Sequence, residues 1–525
     1  MPSRHFPQNL SPAQADIWNT PGFPAIRPKM DPAIIDEVLD SMPECLCSMQ
    51  EFSDMQNVSK VVARQRVVNM RILVASVLCV TAKQHLSYGT ENGYDISDIA
   101  GHYNSMAKER KLPEMSPQAI DYQIKKKEFT VLMRSVFEHL KLCGIAMGLD
   151  SPKVTYALDL ISELTGRKIT DLIAVDGCYF TVDKFLARFF PASRTAHKEG
   201  SKGVAQIGLQ SSLTLKSSML LSVFLTGGTA NEPLYVPKVP NVILLCDSAY
   251  SAFAQFIEVD DNGAYQVSIG KKNLRGTVIR HAYVDGKEVK NIKGKAPKDF
   301  LRYDERQMVE LDIECTATTK FTIVVDSNGV ATNVPRKINL RAIRIYDPIK
   351  GPTWVMTNLP AAVPAEVVLC LMRLRWNIER TFLDLKSHNN LRGARTKSRN
   401  LTQTLVWASL ATSILKGITI RCTERLYGRS LSLRRCHKLD QNDIENASWA
   451  GIVITLICGC SLPSAAFSDV VHRLGGSKQT GRCKPSSKRA RRMLEHHMDT
   501  LIFELVTAVS KGKLLLPYKP ILTSA

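Results

Sequence analysis

The chain has 525 residues, 44% of them hydrophobic, so it is long and apolar enough to bury sizeable cores in about two to four domains. This composition excludes a wholly disordered chain. The 69 Lys and Arg residues outnumber the 49 Asp and Glu residues. The resulting net charge of +20 favours a polyanionic partner, either nucleic acid or an anionic membrane surface.

The apolar segments and the first residues bear on the choice between these partners. The most apolar stretches are shorter than the roughly 20 residues of a membrane span or are interrupted by a charge, such as Arg71 or Lys416. The chain begins MPSRHFPQNLSPAQ, with Pro and polar residues where a secretory signal has its apolar core. We therefore expect no membrane-spanning helix and a cytoplasmic protein.

The 13 cysteines are scattered without the CxxC spacing that is typical of structural zinc sites. The closest pairs, at 45 and 47 and at 458 and 460, are CxC. We predict reduced cysteines that behave as small buried hydrophobic residues rather than as metal ligands.

The N-terminal part is predicted to be helical. Residues 1–60 are interpreted as an N-terminal arm or a loosely helical cap, and 61–150 as a helical, helix-turn-helix-like DNA-binding domain. In its second half, Ser116 is a good N-cap and Pro117 suits the first helical position. A recognition helix needs outward polar tips for base edges and lysines for phosphates, although an ordinary solvated helix of a bundle has the same pattern. The expected outward residues are Gln118, Asp121, Tyr122, Lys125 and Lys126.

Two short apolar runs each end in an aspartate. Residues 172–175 precede Asp176, and residues 242–246 precede Asp247, with strands expected between them at 203–214 and 219–225. Continuous apolar runs suit strands that are buried on both faces of a sheet with parallel members. We predict that both strands deliver a carboxylate at their C-terminal ends, where open α/β sheets bind ligands. Taken singly, each aspartate is only a common turn residue.

Residues 264–358 are predicted to be almost entirely β. Asp285 and Gly286, and the Ser-Asn-Gly sequence at 327–329, are typical of hairpin turns. This segment separates Asp247 from a helix predicted over 364–386. We interpret it as a β-rich insertion between the halves of an α/β domain, 168–263 and 359–415.

The helix over 364–386 has two lines of side chains. Apolar residues at 367, 371, 374, 378, 382 and 385 form a stripe that faces a core. A second line, displaced by one residue, contains Met372, Arg375, Glu379 and Lys386. A lone Glu and Arg pair four residues apart is commonly a surface ion pair. We expect Trp376 to pack beneath this helix.

The segment LRWNIERTFLDLKSHNNLRGARTKS carries a specific spacing. It resembles the signature of the insertion-sequence-4 family of bacterial cut-and-paste transposases, which runs Tyr, two residues, Arg, three residues, Glu, six residues, Lys. Arg375, Glu379 and Lys386 match this signature in register, and Met372 stands in place of the tyrosine. In this resemblance the family's two earlier carboxylates fall on Asp176 and Asp247.

The resemblance implies an α/β fold with a ribonuclease H-like catalytic core, interrupted by an all-β insertion and flanked by helical N-terminal and C-terminal regions. It implies that Asp176, Asp247 and Glu379 are catalytic and hold two Mg²⁺ ions, with Mn²⁺ as a substitute, because hard divalent ions take oxygen ligands. Arg375 and Lys386 would grip phosphates beside the scissile bond. The basic residues Arg392 and Arg395 directly after the helix are further expected DNA contacts.

The implied function is cut-and-paste transposition at terminal inverted repeats by a homodimer, acting on double-stranded DNA in the bacterial nucleoid. Two alternatives stay open: a structure-selective nuclease of the same fold, and a non-catalytic DNA-binding regulator. Residues 416–525 are expected to be a helical C-terminal region. They contain a run at 476–492 with seven basic residues, interpreted either as a DNA-tracking arm or as a solvated linker.

Overall fold

The computed structural model describes residues 48–61, 68–82, 95–146, 150–192, 204–271, 273–292, 294–301, 303, 307–325, 331–347, 351–389, 391, 396–427 and 497–510. The expected arm before residue 48, the hairpin turn at 327–329, the basic residues Arg392 and Arg395, and the basic run at 476–492 lie outside these ranges. The described residues form one ten-stranded mixed sheet together with α-helices. The broad prediction of an α/β fold is therefore confirmed.

The helices lie before, within and after the strands. They are α1 (Met49–Ser59), α2 (Met70–Ala82), α3 (Ile96–Glu109), α4 (Pro117–Ile124), α5 (Lys127–Ala146), α6 (Pro152–Thr165), α7 (Phe253–Asp261), α8 (Ala365–Leu374), α9 (Trp376–His388), α10 (Arg399–Tyr427) and a further helical segment at 497–510.

The strands are β1 (Asp171–Val182), β2 (Ala205–Thr214), β3 (Met219–Gly227), β4 (Val242–Cys246), β5 (Tyr265–Ile269), β6 (Thr277–Val284), β7 (Lys287–Glu288), β8 (Val309–Val325), β9 (Ala331–Asp347) and β10 (Gly351–Thr357). Their order across the sheet is β3-β2-β1-β4-β5-β10-β9-β8-β6-β7. The β1–β4 and β4–β5 pairs are parallel, and every other pair is antiparallel.

The central strands are buried on both faces, as their continuous apolar runs predict. Along β1, Leu172 and Ala174 belong to the main hydrophobic core, whereas Ile173 and Val175 belong to a smaller core on the opposite face. The main core also contains residues of α8 and α9, and the smaller core contains Val259 of α7. The alternation of strand side chains thus gives β1 a hydrophobic core on each face.

Asp176 does not lie at the end of its strand, contrary to the prediction. β1 continues to Val182 because β2 pairs with it in antiparallel fashion from Ile173 to Val182. The parallel pairing of β1 with β4 stops earlier, at Val175 opposite Cys246. Asp176 therefore lies in the interior of β1, yet immediately beyond the last parallel pair.

The β-rich segment continues the same sheet. Within 264–358, the first strand, β5, pairs in parallel with β4, and β10 returns antiparallel beside β5. Strands β6 to β9 extend the sheet further from β10. The turn between β6 and β7 has Asp285 and Gly286 at φ of 49° and 74°, as the Asp-Gly signal predicts for a tight hairpin.

The N-terminal helices share the main core with α10. Phe137 of α5 and Trp407 of α10 have ring centroids 5.3 Å apart. The hydroxyls of Thr81 in α2 and Thr412 in α10 are hydrogen bonded at 2.8 Å. α10 also runs through residues 415 and 416, where the sequence suggested a boundary. The expected N-cap is confirmed, because the Ser116 hydroxyl accepts from the Ala119 amide at 3.2 Å and Pro117 follows it.

None of the helices in the described part of the chain is long and apolar enough to cross a membrane. The cysteines at 79, 143, 178, 246, 315 and 370 are free, and all but the one at 143 are buried. This agrees with their predicted role as small hydrophobic residues.

Candidate active site

The parallel pairing of β1 and β4 brings Asp176 and Asp247 together. Val175 is the partner of Cys246, so the two aspartates are the next residues of neighbouring parallel strands. Asp247 follows β4 and caps a 3₁₀ turn, where its carboxylate accepts a hydrogen bond from the Ala249 amide at 2.7 Å. Its backbone carbonyl accepts from the Ser268 hydroxyl of β5 at 2.8 Å. The neighbouring strand thus holds the backbone of Asp247 in place.

Glu379 lies near these aspartates on the second of two consecutive helices. The sequence predicted a single helix, but the chain forms α8 and α9 with Arg375 between them. At the break, the Arg375 amide donates to the Met372 carbonyl at 3.3 Å and the Ile378 amide donates to the Arg375 carbonyl at 3.1 Å. These i to i−3 bonds tighten the turn that precedes Glu379.

The apolar stripe predicted for this helical segment is confirmed. Its six members are all 5% exposed or less, and α9 packs against β1. The segment before α8 is also anchored, because the buried Arg341 of β9 donates to the carbonyls of Pro360 and Val363 at 2.9 and 2.7 Å. Arg341 also forms an ion pair with Glu310 of β8. These contacts fix the start of the helical segment that carries Glu379.

Arg375 joins two of the three acids directly. Its Nη1 donates to Asp176 Oδ2 at 3.1 Å, and its Nη2 donates to Glu379 Oε1 at 2.5 Å. The side chains of Arg375 and Asp176 are only 12% and 15% exposed, whereas Glu379 is 36% exposed. The guanidinium therefore bridges β1 and α9 in a largely desolvated position.

The three carboxylates influence one another electrostatically. Burial raises the pKa of Asp176 to about 6, and the negative charges of Asp247 and Glu379 raise it as well. The Arg375 guanidinium and the Gly177 amide, which donates to Asp176 Oδ1 at 2.8 Å, lower this pKa. A cluster of negative charge has thus formed around one buried aspartate, and a cation stabilises it.

Residues 166–415 match the family model of the transposase DDE domain. This match supports a DDE transposase. It covers the three acids, Arg375 and Lys386, and it begins before β1 and ends within α10. No curated protein sequence matches the chain. The transposase domain thus corresponds to the sheet and to the helices that bring Glu379 to it.

DDE transposases generally use divalent metal ions. The donors at this site fit such an ion chemically, since carboxylate oxygens are the ligands that hard cations prefer. Within the described residues, however, no group of three or more His, Cys, Asp or Glu side chains is arranged to hold a metal ion. The bridge from Arg375 to Asp176 and Glu379 supplies the positive charge in this arrangement.

A second polar network lies beside Asp176, and sequence reasoning missed it. The Tyr179 hydroxyl donates to Glu232 Oε1 at 2.6 Å and accepts from Gln210 Nε2 at 3.1 Å. A Cβ on Gly177 would lie 2.7 Å from Glu232 Oε1 and 2.9 Å from Gln210 Oε1. Burial, followed by the hydrogen bond to Glu232, raises the pKa of Tyr179. The glycine after Asp176 was the available signal, because it permits this close approach.

The other residues singled out on this helical segment differ in how deeply they are buried. Met372 is 9% exposed and packs in the main core. Lys386 is half-buried on α9, two turns after Glu379. Trp376 is 42% exposed, so the prediction that it packs beneath the helix is wrong. Two residues along a helix correspond to about 200°, which turns Trp376 away from the buried Leu374.

The predicted DNA contacts of the N-terminal helices lie on α4 and at its junction with α5. Gln118 and Lys125 are exposed, and Lys125 forms an ion pair with Asp121. Lys126 Nζ lies 4.7 Å from the centroid of the exposed Tyr122 ring. In the described part of the chain, none of the predicted DNA-contacting residues on these helices makes a hydrogen bond or ion pair with the three acids.

Proposed function

We propose that the protein is a cut-and-paste DNA transposase that hydrolyses a phosphodiester at terminal inverted repeats and joins the freed 3′-hydroxyl to target DNA. One observation carries this proposal: within a transposase DDE domain, Asp176 interacts electrostatically with Asp247 and Glu379, and Arg375 bridges Asp176 and Glu379. The net charge of +20 fits a DNA substrate.

Asp176, Asp247 and Glu379 would hold two Mg²⁺ ions, with Mn²⁺ as a substitute. Bound there, the ions would stabilise the charge on the attacking and leaving oxygens of the phosphodiester. The three carboxylates must be ionised to bind them, and Arg375 favours the ionised form of Asp176. Burial of Asp176 excludes water and strengthens these charge interactions.

Arg375 and Lys386 are the residues we assign to the DNA backbone near the cut. Arg375 Nε is buried and, within the described residues, has no hydrogen-bond partner. The guanidinium would donate to a phosphate oxygen once bound cations neutralise the two carboxylates that hold it. Lys386 is seven residues beyond Glu379, or about 10 Å along α9, so it would hold a second phosphate. Together the two cations would orient the strand across the acids.

The remaining assignments belong to the same proposal. Residues 168–263 and 359–415 would form the ribonuclease H-like catalytic core and 264–358 its insertion. The α3–α4 pair would bind the terminal repeats through Gln118, Lys125 and Lys126. Two copies of the chain would form the synaptic complex.

The test is cleavage by the full chain of linear duplexes that carry the inverted repeats flanking its gene, with Mg²⁺ or Mn²⁺ and a supercoiled target plasmid. The wild-type protein should release the repeat end and produce joined products. Asp176→Asn, Asp247→Asn and Glu379→Gln should each reduce cleavage by at least about 10³-fold, as expected for loss of an essential charge interaction. Glu366→Gln, an exposed carboxylate of α8, is the matched control and should cleave as the wild type does.

The same assay separates the alternatives. Cleavage that is unchanged by all three substitutions would show that Asp176, Asp247 and Glu379 are not catalytic. Cutting of branched DNA without any joined product would identify a structure-selective nuclease instead. Binding of the repeats that needs no metal and leads to no cleavage would identify a non-catalytic regulator.

A further inference from the structure

An exposed surface of aromatic and basic side chains lies just beyond the end of β1. Phe185 and Phe189 are 59% and 36% exposed. Arg188 and Arg399 lie 4.5 and 4.8 Å from the centroid of the Phe189 ring, and Lys397 lies 4.9 Å from that of Phe185. We call this surface the aromatic–basic patch; it consists of Lys184, Phe185, Arg188, Phe189, Lys397 and Arg399.

The charge of the patch is uncompensated in the described part of the chain. None of its four cations has a carboxylate partner within 4.0 Å there. The adjacent Asp183 is used locally, because its carboxylate accepts from the Phe185 amide at 3.0 Å and caps the 3₁₀ turn. The patch therefore presents positive charge that lies over the faces of its two aromatic rings.

The two rings are presented by an anchored turn. Leu186 and Phe190, between and after the exposed rings, are buried in the main core. The amides of Phe189 and Phe190 both donate to the Leu186 carbonyl at 2.9 Å, and the Gln206 amide donates to the Phe190 carbonyl at 3.1 Å. Exposure of the rings is thus built into the turn and not a result of loose packing. Exposed aromatic rings combined with basic side chains are a feature of surfaces that bind single-stranded nucleic acid.

The patch and the acids share one strand. Asp176 and Val182, the last residue of β1, are six residues apart, which corresponds to about 20 Å along the strand. The bases of a stacked DNA strand are about 3.4 Å apart, so this distance corresponds to roughly six nucleotides. A DNA strand that passes the acids along β1 would reach the patch.

We propose that the aromatic–basic patch binds unpaired nucleotides of the DNA strand that extends from the cleavage site, a role that rests on the proposed function. Bases displace the cations from the ring faces and stack on Phe185 and Phe189, and the displaced cations hold the intervening phosphates. Unpaired bases are the fitting ligand because their faces are free, whereas duplex bases already stack on one another. The ligand is single-stranded DNA of any sequence, since every base has a stacking face.

The test compares the binding of a fluorescein-labelled single-stranded 20-mer with that of a blunt duplex of the same length, by anisotropy without divalent metal. The full chain carrying Phe185→Ala and Phe189→Ala should bind the single strand at least about tenfold more weakly, because each stacked base contributes to affinity. Its affinity for the duplex should change less than about twofold. Phe321→Ala, which removes a 52% exposed ring from β8, is the matched control and should change neither affinity.

The cations provide an independent readout. A variant with both Lys397→Gln and Arg399→Gln should show a weaker salt dependence of single-strand binding. The slope of log affinity against log salt concentration should decrease in magnitude by about 1.4, or about 0.7 for each phosphate contact. Photo-cross-linking of 5-iodouracil, moved one position at a time from the scissile phosphate, should label the Phe185 peptide about six nucleotides away. Unchanged single-strand affinity in the double Ala variant, or equal losses for single strand and duplex, would overturn the proposal.

The two proposals fail in different ways. If the wild-type chain never cleaves DNA but the Phe variants lose affinity for single strands, the proposal for the patch stands and only the transposase mechanism is contradicted. If the chain cleaves DNA normally and binds single strands equally well with or without the two rings, only the proposal for the patch is contradicted.

Discussion

Arg375 Nη1 donates to Asp176 Oδ2 at 3.1 Å, although the two residues are 199 positions apart in the chain. The same guanidinium also holds Glu379. Arg375 is therefore the residue that ties the helical signature to the strand carrying the first acid. In the proposed mechanism Arg375 first pairs with the carboxylates of Asp176 and Glu379. Once cations neutralise these carboxylates, it would bind a DNA phosphate.

Replacing Arg375 with Gln should strengthen divalent metal binding and weaken cleavage. The substitution removes a positive charge that competes with a cation for Asp176 and Glu379. We expect Mn²⁺ affinity of the DNA-free protein, measured by isothermal titration calorimetry, to rise about tenfold, which corresponds to about 1.4 kcal/mol. Cleavage should fall at least about 10²-fold because the phosphate contact is lost.

Arg373→Gln is the control for charge alone, because Arg373 is an exposed arginine in the last turn of α8. It should leave both measurements within about twofold of the wild type. A Mn²⁺ affinity that falls in Arg375→Gln would show that the arginine organises the carboxylates for the metal instead of competing with it.

Gly177→Ala should disturb the site sterically, because the added Cβ would clash with neighbouring side chains. The new Cβ would meet the carboxylate of Glu232 and the amide of Gln210 at under 3.0 Å, directly beside Asp176. Both atoms are the ends of flexible side chains that can shift, so we expect a loss of no more than about 1 kcal/mol in the free energy of unfolding and about a tenfold loss of cleavage. Urea denaturation followed by circular dichroism measures the first, and the repeat-end assay measures the second.

Gly101→Ala is the matched control for a glycine change. Gly101 lies within α3, and a Cβ added there would have no neighbouring atom within 4 Å. Because Ala has a higher helix propensity than Gly, this variant should gain roughly 0.5–1 kcal/mol. Equal behaviour of the two Ala variants would contradict the steric explanation for Gly177.

Asp171 should make stability depend on pH. Burial raises its pKa to about 6 in the folded chain, above the ordinary value of 3.8. The folded state therefore holds this proton more tightly than the unfolded state does. The resulting stabilisation is complete below about pH 4 and is lost as the pH rises through 6, at about 1.4 kcal/mol for each unit of pKa shift.

Asp171→Asn isolates this effect, because the amide is neutral at every pH and its oxygen can still accept from the Leu172 amide, now at 2.7 Å. Relative to the wild type, the variant should gain stability between pH 4.5 and pH 7.5 in urea titrations. Parallel pH profiles for the two proteins would show that Asp171 does not contribute to the pH dependence.

Phe137→Ala should destabilise the N-terminal helices and the transposase domain together. The Phe137 side chain is fully buried against Trp407 of α10, so its loss leaves a cavity between the two regions. We expect a loss of about 3–5 kcal/mol in the free energy of unfolding and one cooperative transition by both circular dichroism and limited proteolysis. Tyr122→Ala, at a side chain that is 67% exposed, should change stability by less than about 0.5 kcal/mol. Separate transitions for the two regions would contradict a shared core.

Local patterns were sufficient to predict the strands and helices that carry the site. β4 was predicted with the bounds that it has, from a five-residue apolar run that ends before Asp247. The stripe of α8 and α9 was predicted from helical periodicity alone. The break at Arg375 was not, since the i to i−3 bonds that cause it leave no mark in the pattern of apolar residues.

Residues that act through contacts distant in the sequence escaped prediction. Glu232 lies in a short 3₁₀ turn without periodicity, and only the fold brings it within 2.6 Å of the Tyr179 hydroxyl. Phe185 and Phe189 precede Arg399 by more than 200 positions, so no local motif joins the rings to that cation. The extension of β1 beyond Asp176 depends in the same way on its partner β2.

Three features follow from the order of amino acids alone: the net charge, the apolar runs that become buried strands, and the spacing of Arg375, Glu379 and Lys386 on one helical face. These are properties of composition and of short-range periodicity, which each segment carries independently of its neighbours. Which side chains come into contact depends on how the elements pack. Because the parallel register of β1 and β4 places Asp176 beside Asp247, and the packing of α9 on β1 brings Arg375 to Asp176, three acids that are separate in the chain form one electrostatic cluster.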